Sequence, residues 1–157
     1  MKFQRTTLCY ISKGEDWLFI HKSRKNDQNV GKYLGIGGHI EKDETPDECI
    51  VREIFEETGL TGEDLSGLKK YGDILFVSDI YGEEEMHVYL ADYAAPEDKE
   101  LQSCEEGELI WINKDKADEL PVWEGDLIMF DLLRRKEQFK LRLEYEGDKL
   151  KKVDFLN

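Results

Sequence analysis

Apolar and polar positions along the chain change period several times, and each change marks an element. Residues 6–12 (TTLCYIS) and 17–21 (WLFIH) are compact β-prone runs separated by Lys13-Gly14-Glu15-Asp16, which predicts an opening hairpin. A polar loop from Lys22 to Lys32 follows, then the glycine-rich stretch Gly35-Ile36-Gly37-Gly38. The clearest helix signal comes next: Thr45 as N-cap, Pro46 at the first helical position, Glu48 completing a capping box, and Gly59 as the stop. Downstream, 73–79 (DILFVSD) and 85–93 (EMHVYLADY) predict strands joined through Tyr81-Gly82, and 108–112 (ELIWI) another. A second helix is expected over about 123–136, and Gly147-Asp148 between 139–146 and 149–155 predicts a closing hairpin. No repeat, low-complexity tract or linker divides the chain, so a single mixed α/β domain over 1–157 is expected.

On a helical wheel Glu53, Glu56 and Glu57 fall within about 100° of one another, while Ile50, Val51, Ile54 and Phe55 cluster on another side and read as core. Like charges at i, i+3 and i+4 repel. A hard divalent cation offsets that repulsion, because Mg²⁺ takes oxygen ligands and is commonly shared between carboxylates and phosphates. Arg52 is placed to orient a neighbouring carboxylate, and the glycines before the helix allow backbone to approach a metal or phosphate closely. A plain solvated Glu-rich face is the competing reading of those three acids alone.

Composition narrows the function. Lys plus Arg is 22 against 36 Asp plus Glu, a formal charge of −14, the wrong sign for duplex nucleic acid or anionic membranes. A phosphate substrate then needs a cation between itself and the protein. Cys9, Cys49 and Cys104 lack metal-site spacing and are expected to be buried free thiols. No signal-peptide pattern and no apolar run of about 20 residues is present, which points to a cytoplasmic address.

The full spacing is far more specific than the three acids. Gly38, Glu44, Arg52, Glu53, Ile54, Glu56, Glu57, Gly59 and Leu60 match G-x5-E-x7-R-E-U-x-E-E-x-G-U, U being aliphatic. By average composition a chance match over this length is about 10⁻⁵ or below. The pattern resembles the Nudix box without a departure. The resemblance implies an α/β/α sandwich around a mixed sheet and Mg²⁺-dependent hydrolysis of a nucleoside diphosphate linked to another group, with Mn²⁺ as a substitute metal. It also implies that Glu53, Glu56 and Glu57 ligate metal, that the carbonyl of Gly37 completes the shell, and that Arg52 and Glu44 orient.

From Thr6 onward the chain is similar to the MutT and MutX group, the 8-oxo-dGTP diphosphatases. In that group a tryptophan and an acid before the last helix line the base pocket, and Trp123 and Asp126 match them here. Asp126 has a second reading as a helix N-cap. The human member of the group reads the purine with an asparagine where this chain has Leu34, between Tyr33 and Gly35. Tyr33 joins the candidate substrate contacts. Of Glu105 and Glu106, Glu106 is favoured as the extra carboxylate that relatives place near the metals or the attacking water. Lys22, Arg24 and Lys25 are candidate phosphate clamps, with a solvated loop as the alternative. His39 stands where relatives often have lysine, and His21, His39 and His87 are too scattered to make a zinc site. Tyr89, Phe76 and Trp111 read as core.

The implied partner is a small nucleotide, with the chain a monomer or homodimer and a role in cleansing the nucleotide pool. The rival readings are a Nudix pyrophosphatase for ADP-ribose or an ordinary nucleoside triphosphate, and a catalytically silent nucleotide sensor. The absence of any proline between Pro46 and Pro96 counts against the ADP-ribose group. The completeness of the acid set counts against a silent sensor.

Overall fold

The computed structural model describes residues 2–25, 27–102 and 104–156. Residue 26 of the expected 22–32 loop and both ends of the 1–157 span thus lie outside the described residues.

The strands are β1 (Phe3–Lys13), β2 (Asp16–Lys22), β3 (Tyr33–Leu34), β4 (Leu65–Ser78), β5 (Gly82–Tyr93), β6 (Gly107–Asn113), β7 (Phe139–Glu146) and β8 (Lys149–Phe155). The helices are α1 (Pro46–Thr58) and α2 (Asp126–Arg134). They build one mixed sheet of order β3-β2-β1-β5-β4-β7-β8, with β6 pairing on β2. The β1–β5 and β4–β7 pairs are parallel; the other pairs are antiparallel.

Residues 8–11 and 17–20 are apolar throughout because both faces of the sheet are covered. Leu8, Tyr10, Trp17 and Phe19 point to the side packed by Met129, Phe130 and Leu133 of α2. Cys9, Ile11, Leu18 and Ile20 point to the side packed by Ile50 and Ile54 of α1. A helix on each face gives the α/β/α sandwich that the resemblance implied.

The opening hairpin forms, but β1 and β2 pair only beside the turn, at Ser12 with Trp17 and Lys13 with Asp16. Beyond that point β2 diverges from β1 and is met by β3 at Ile20 and His21, while β6 runs along the opposite edge of β2 from Asp16 to Lys22. The vacated edge of β1 still needs hydrogen-bond partners, and the glycine stretch supplies them. Thr7 N–H donates to Gly38 O at 2.9 Å, Cys9 N–H to Ile36 O at 2.6 Å, and Ile40 N–H to Arg5 O at 2.9 Å. The loop preceding α1 is therefore pinned to the central strands.

Two sequence-based expectations are corrected here. Val51 and Phe55 are 42% and 53% exposed, because the buried stripe of α1 runs through Ile50, Ile54, Glu57 and Thr58 instead. Asp126 is not the N-cap of α2; Gly125 holds that position, and Asp126 is the first helical residue. The three cysteines are unpaired as expected, although Cys104 is only partly buried. No helix among the described residues is long and apolar enough to cross a membrane.

Candidate active site

The capping box sets where α1 begins. Thr45 Oγ1 accepts from Glu48 N–H at 3.1 Å, and Glu48 Oε1 accepts from Thr45 N–H at 2.9 Å. Gly59, at φ 81°, ends the helix. The glycine loop then lies directly against it. A Cβ on Gly37 would sit 1.9 Å from the carbonyl oxygen of Thr7, and one on Gly38 would sit 2.5 Å from Glu53 Oε1. Gly37 thus demands glycine, since the clash is with fixed backbone, while a side chain at Gly38 would push the Glu53 carboxyl aside.

Arg52 is the hub of the acid cluster. Its Nε donates to Glu44 Oε2 at 2.6 Å and its Nη2 to Glu44 Oε1 at 3.0 Å, a bidentate pair that holds the Glu44 carboxyl down at about 2. Nη1 donates to Glu53 Oε1 at 3.0 Å and Glu56 Oε2 at 3.1 Å, while Nη2 also donates to the carbonyl of His39 at 3.0 Å. Glu53 and Glu56 turn to Arg52, whereas Glu57 lies inward beside Glu53.

Glu57 is 8% exposed and its Oε2 has no hydrogen-bond partner among the described residues. Burial, with the neighbouring Glu53 carboxyl, pushes its pKa up to about 9, and Lys22 pulls the other way. A buried, unsatisfied carboxylate oxygen beside a second carboxylate is the donor set a hard divalent cation fits. Glu53 has a side chain 14% exposed, while that of Glu56 is 54% exposed at the rim.

Glu106 faces the same cavity and is tied to the basic group. It accepts from Lys22 Nζ at 2.7 Å and Arg24 Nη1 at 2.8 Å, and those bonds hold its carboxyl below the usual range. The predicted clamp and the predicted extra acid are thus paired with each other. Lys25, Gly37 and His39 line this cavity too, whose volume is about 750 Å³. His39 Nε2 lies 2.8 Å from Gln4 Oε1. Glu105 and Tyr33 do not line it; the Tyr33 ring stacks on His21 at 4.2 Å, because the β2–β3 register sets the two residues opposite each other.

A second cavity of about 120 Å³ opens beside the first and is lined by Trp123, Asp126, Leu34, Phe76 and Tyr145, among others. The indole of Trp123 is fixed by donation from Nε1 to Asn29 Oδ1 at 2.6 Å and by edge packing on Tyr145 at 5.5 Å. Lys32 Nζ sits 4.6 Å from the ring centroid. Asp126 is 6% exposed and accepts from the Trp123 backbone N–H at 3.2 Å. Burial raises its carboxyl to about 7, with Lys32 opposing and Glu84 reinforcing the rise.

That shift has a testable sign. The folded protein keeps the Asp126 proton up to about pH 7, while the unfolded chain releases it near 4. Over that window the folded state binds more protons, so this group makes stability fall as pH rises, by up to about 4 kcal/mol. The stability of Asp126→Asn relative to the wild type is expected to increase between pH 4 and 7 and then level off. Thermal melts of both proteins across that range check it, and a difference independent of pH would refute the burial argument.

Sequence reasoning missed Thr6, Gln28, Asn29 and Glu84, all of which line the first cavity. Glu84 carried a usable signal, since it shares strand parity with Met86, Val88 and Leu90, which pack in the α2-side core. Asn29 sits in an irregular loop and carried none.

A glycine loop wedged against an acid-bearing helix, beside a two-part cavity of nucleotide size, defines the class: a hydrolase of phosphoanhydride bonds in nucleotide derivatives. The sequence profile described as NUDIX domain matches residues 2–133, and the chain belongs to the Nudix family. Hydrolases of this family generally need a divalent metal such as Mg²⁺ and bind small nucleotide substrates. The chain is 31% identical over 127 residues to an oxidized purine nucleoside triphosphate hydrolase of Danio rerio, covering 79% of this chain and 76% of that one. It is 30% identical over 112 residues to an NAD-capped RNA hydrolase, NudC, of Haemophilus influenzae, covering 71% of this chain and 40% of that protein. Among solved structures, a MutT protein of Bacillus halodurans superposes with a TM-score of 0.75 at 28% identity, covering 97% of both chains.

Proposed function

We propose that this chain hydrolyses oxidised purine nucleoside triphosphates, 8-oxo-dGTP among them, to the monophosphate and pyrophosphate, and so cleanses the nucleotide pool. The observation that carries the reading is the buried Asp126 beside the anchored indole of Trp123, in a cavity that shares a wall with the one lined by the helix acids. A purine stacks on the indole, and a carboxyl that keeps its proton near neutral pH donates to a base edge. The similarity to the Danio rerio enzyme supports the same substrate class.

Glu53, Glu56 and Glu57, with the carbonyl of Gly37, would hold Mg²⁺ or Mn²⁺. When bound, the cation supplies charge neutralisation at the phosphate oxygens and polarises water. Glu44 and Arg52 fix the loop and the acids. Glu106, held by Lys22 and Arg24, orients an attacking water, while those two cations and His39 face the phosphate chain. We also read 1–157 as one Nudix unit, because β7 and β8, beyond the matched residues 2–133, extend the same sheet.

A second reading, hydrolysis of another nucleoside diphosphate derivative, is favoured by the likeness to NudC and by the larger cavity of about 750 Å³. A chromatographic assay of nucleotide products with Mg²⁺, monophosphate plus pyrophosphate from oxidised and ordinary nucleoside triphosphates and AMP from ADP-ribose and NAD, separates them. Turnover concentrated on oxidised purines is expected. Turnover confined to the dinucleotides, or binding without turnover, would overturn the proposal.

A further inference from the structure

The two cavities share part of their wall. Among the described residues in that shared wall, Glu84 is the one ionisable side chain; the rest are apolar or carry neutral amides. It projects from β5 between Gln4 on β1 and Phe76 on β4. Thr6 Oγ1 donates to Glu84 Oε2 at 2.7 Å, and no other hydrogen bond to this carboxyl is made among the described residues. One oxygen is thus fixed and the other remains an open acceptor.

A nucleotide has an invariant order of base, sugar and phosphates. With the base on Trp123 and Asp126 and the phosphates by the helix acids, the wall between them faces the sugar; this step rests on the function proposed above. A carboxylate there repels a phosphate chain, so its counterpart must be a neutral donor, and sugar hydroxyls are the donors available. We propose that Glu84 reads the sugar, accepting from the 2′-hydroxyl, so that the site favours ribonucleotides over 2′-deoxyribonucleotides. A deoxyribose leaves the half-buried carboxyl with an unfilled acceptor after water is displaced, and a missing partner is penalised more heavily than a present one is rewarded.

The test compares kcat/KM for ribo and 2′-deoxy triphosphates of the same base, GTP with dGTP and 8-oxo-GTP with 8-oxo-dGTP, using the full chain with Mg²⁺. The wild type is expected to favour the ribo member about tenfold or more, the size of one hydrogen bond to a charged group. Glu84→Met should bring that ratio to about one through a higher KM for the ribo member. Glu84→Gln, which keeps an acceptor, should retain part of the preference. Thr6→Val, which leaves Glu84 in place but unanchored, should also weaken it and serves if the Met variant does not fold. A ribo-to-deoxy ratio that is the same in the wild type and in all three variants overturns the proposal. So does an altered ranking of bases with an unaltered ribo-to-deoxy ratio, which would place Glu84 against the base. Failure of the underlying reading looks different: the wild type would then hydrolyse neither member of any pair while cleaving ADP-ribose or NAD.

Discussion

Glu57→Gln is expected to lower kcat by about 10²–10³-fold at saturating Mg²⁺ while raising the melting temperature of the metal-free protein. The two effects share one cause. Glu57 occupies the buried stripe of α1, following Ile50 and Ile54 at helical spacing, and its Oε2 has no partner beside a second carboxylate. The amide keeps the shape and is neutral without taking up a proton, so it removes the cost of burying an acid whose pKa is pushed up to about 9, which stabilises the fold, but it no longer offers an anionic oxygen to a cation. Under the proposed function, an acid placed to meet a cation costs the fold stability that binding returns. Glu53→Gln should reduce turnover similarly without the gain in stability, because it removes the charge that strengthens the bond accepted from Arg52 at 3.0 Å. Glu56→Gln, at the exposed rim, should do least. Steady-state kinetics under Mg²⁺ titration and melts in chelator check this; a Glu57→Gln enzyme with wild-type kcat would remove Glu57 from the proposed metal site.

Why some of this was legible in the sequence follows from where each signal originates. The bounds of α1 are written in local chemistry, with Thr45, Pro46, Glu48 and Gly59 each acting within a few residues of itself, and the structure reproduces them. The turn at Gly147-Asp148 is equally local, with Gly147 at φ 60°. The first part of β4, Leu65 to Tyr71, was missed because lysines, glycine and register shifts against β5 break its alternation. Two-residue β3 carries too little pattern to register and exists only because β2 offers it an edge.

The candidate site divides the same way. Helix spacing places Glu53, Glu56 and Glu57 together, but which of them is buried depends on how α1 rolls onto the sheet. That roll leaves Val51 and Phe55 outside and turns Glu57 inward. The contacts of Glu106 with Lys22 and of Trp123 with Asn29 span 84 and 94 residues, and nothing local encodes them.

Arg52→Lys is expected to lose stability and activity together, by about 1–2 kcal/mol and a further ten- to hundredfold in kcat. Lysine keeps the charge but cannot reproduce the bidentate bond to Glu44 while also reaching Glu53, Glu56 and the His39 carbonyl. The stability loss sits below that of breaking a buried pair because the Arg52 and Glu44 side chains are 23% and 12% exposed. The kinetic loss has a separate origin: without the guanidinium, the glycine loop and the helix acids are no longer held in register, and small misplacements of reacting groups are amplified in the rate. A double-mutant cycle with Glu44→Gln separates the two. The stability effects of the pair should be strongly non-additive, since each removes the partner of the other, whereas the kinetic loss on Arg52→Lys should persist in the Glu44→Gln background through the remaining contacts to Glu53 and His39. If both effects vanish together in that background, Arg52 acts only through Glu44 and its direct hold on the helix acids is refuted.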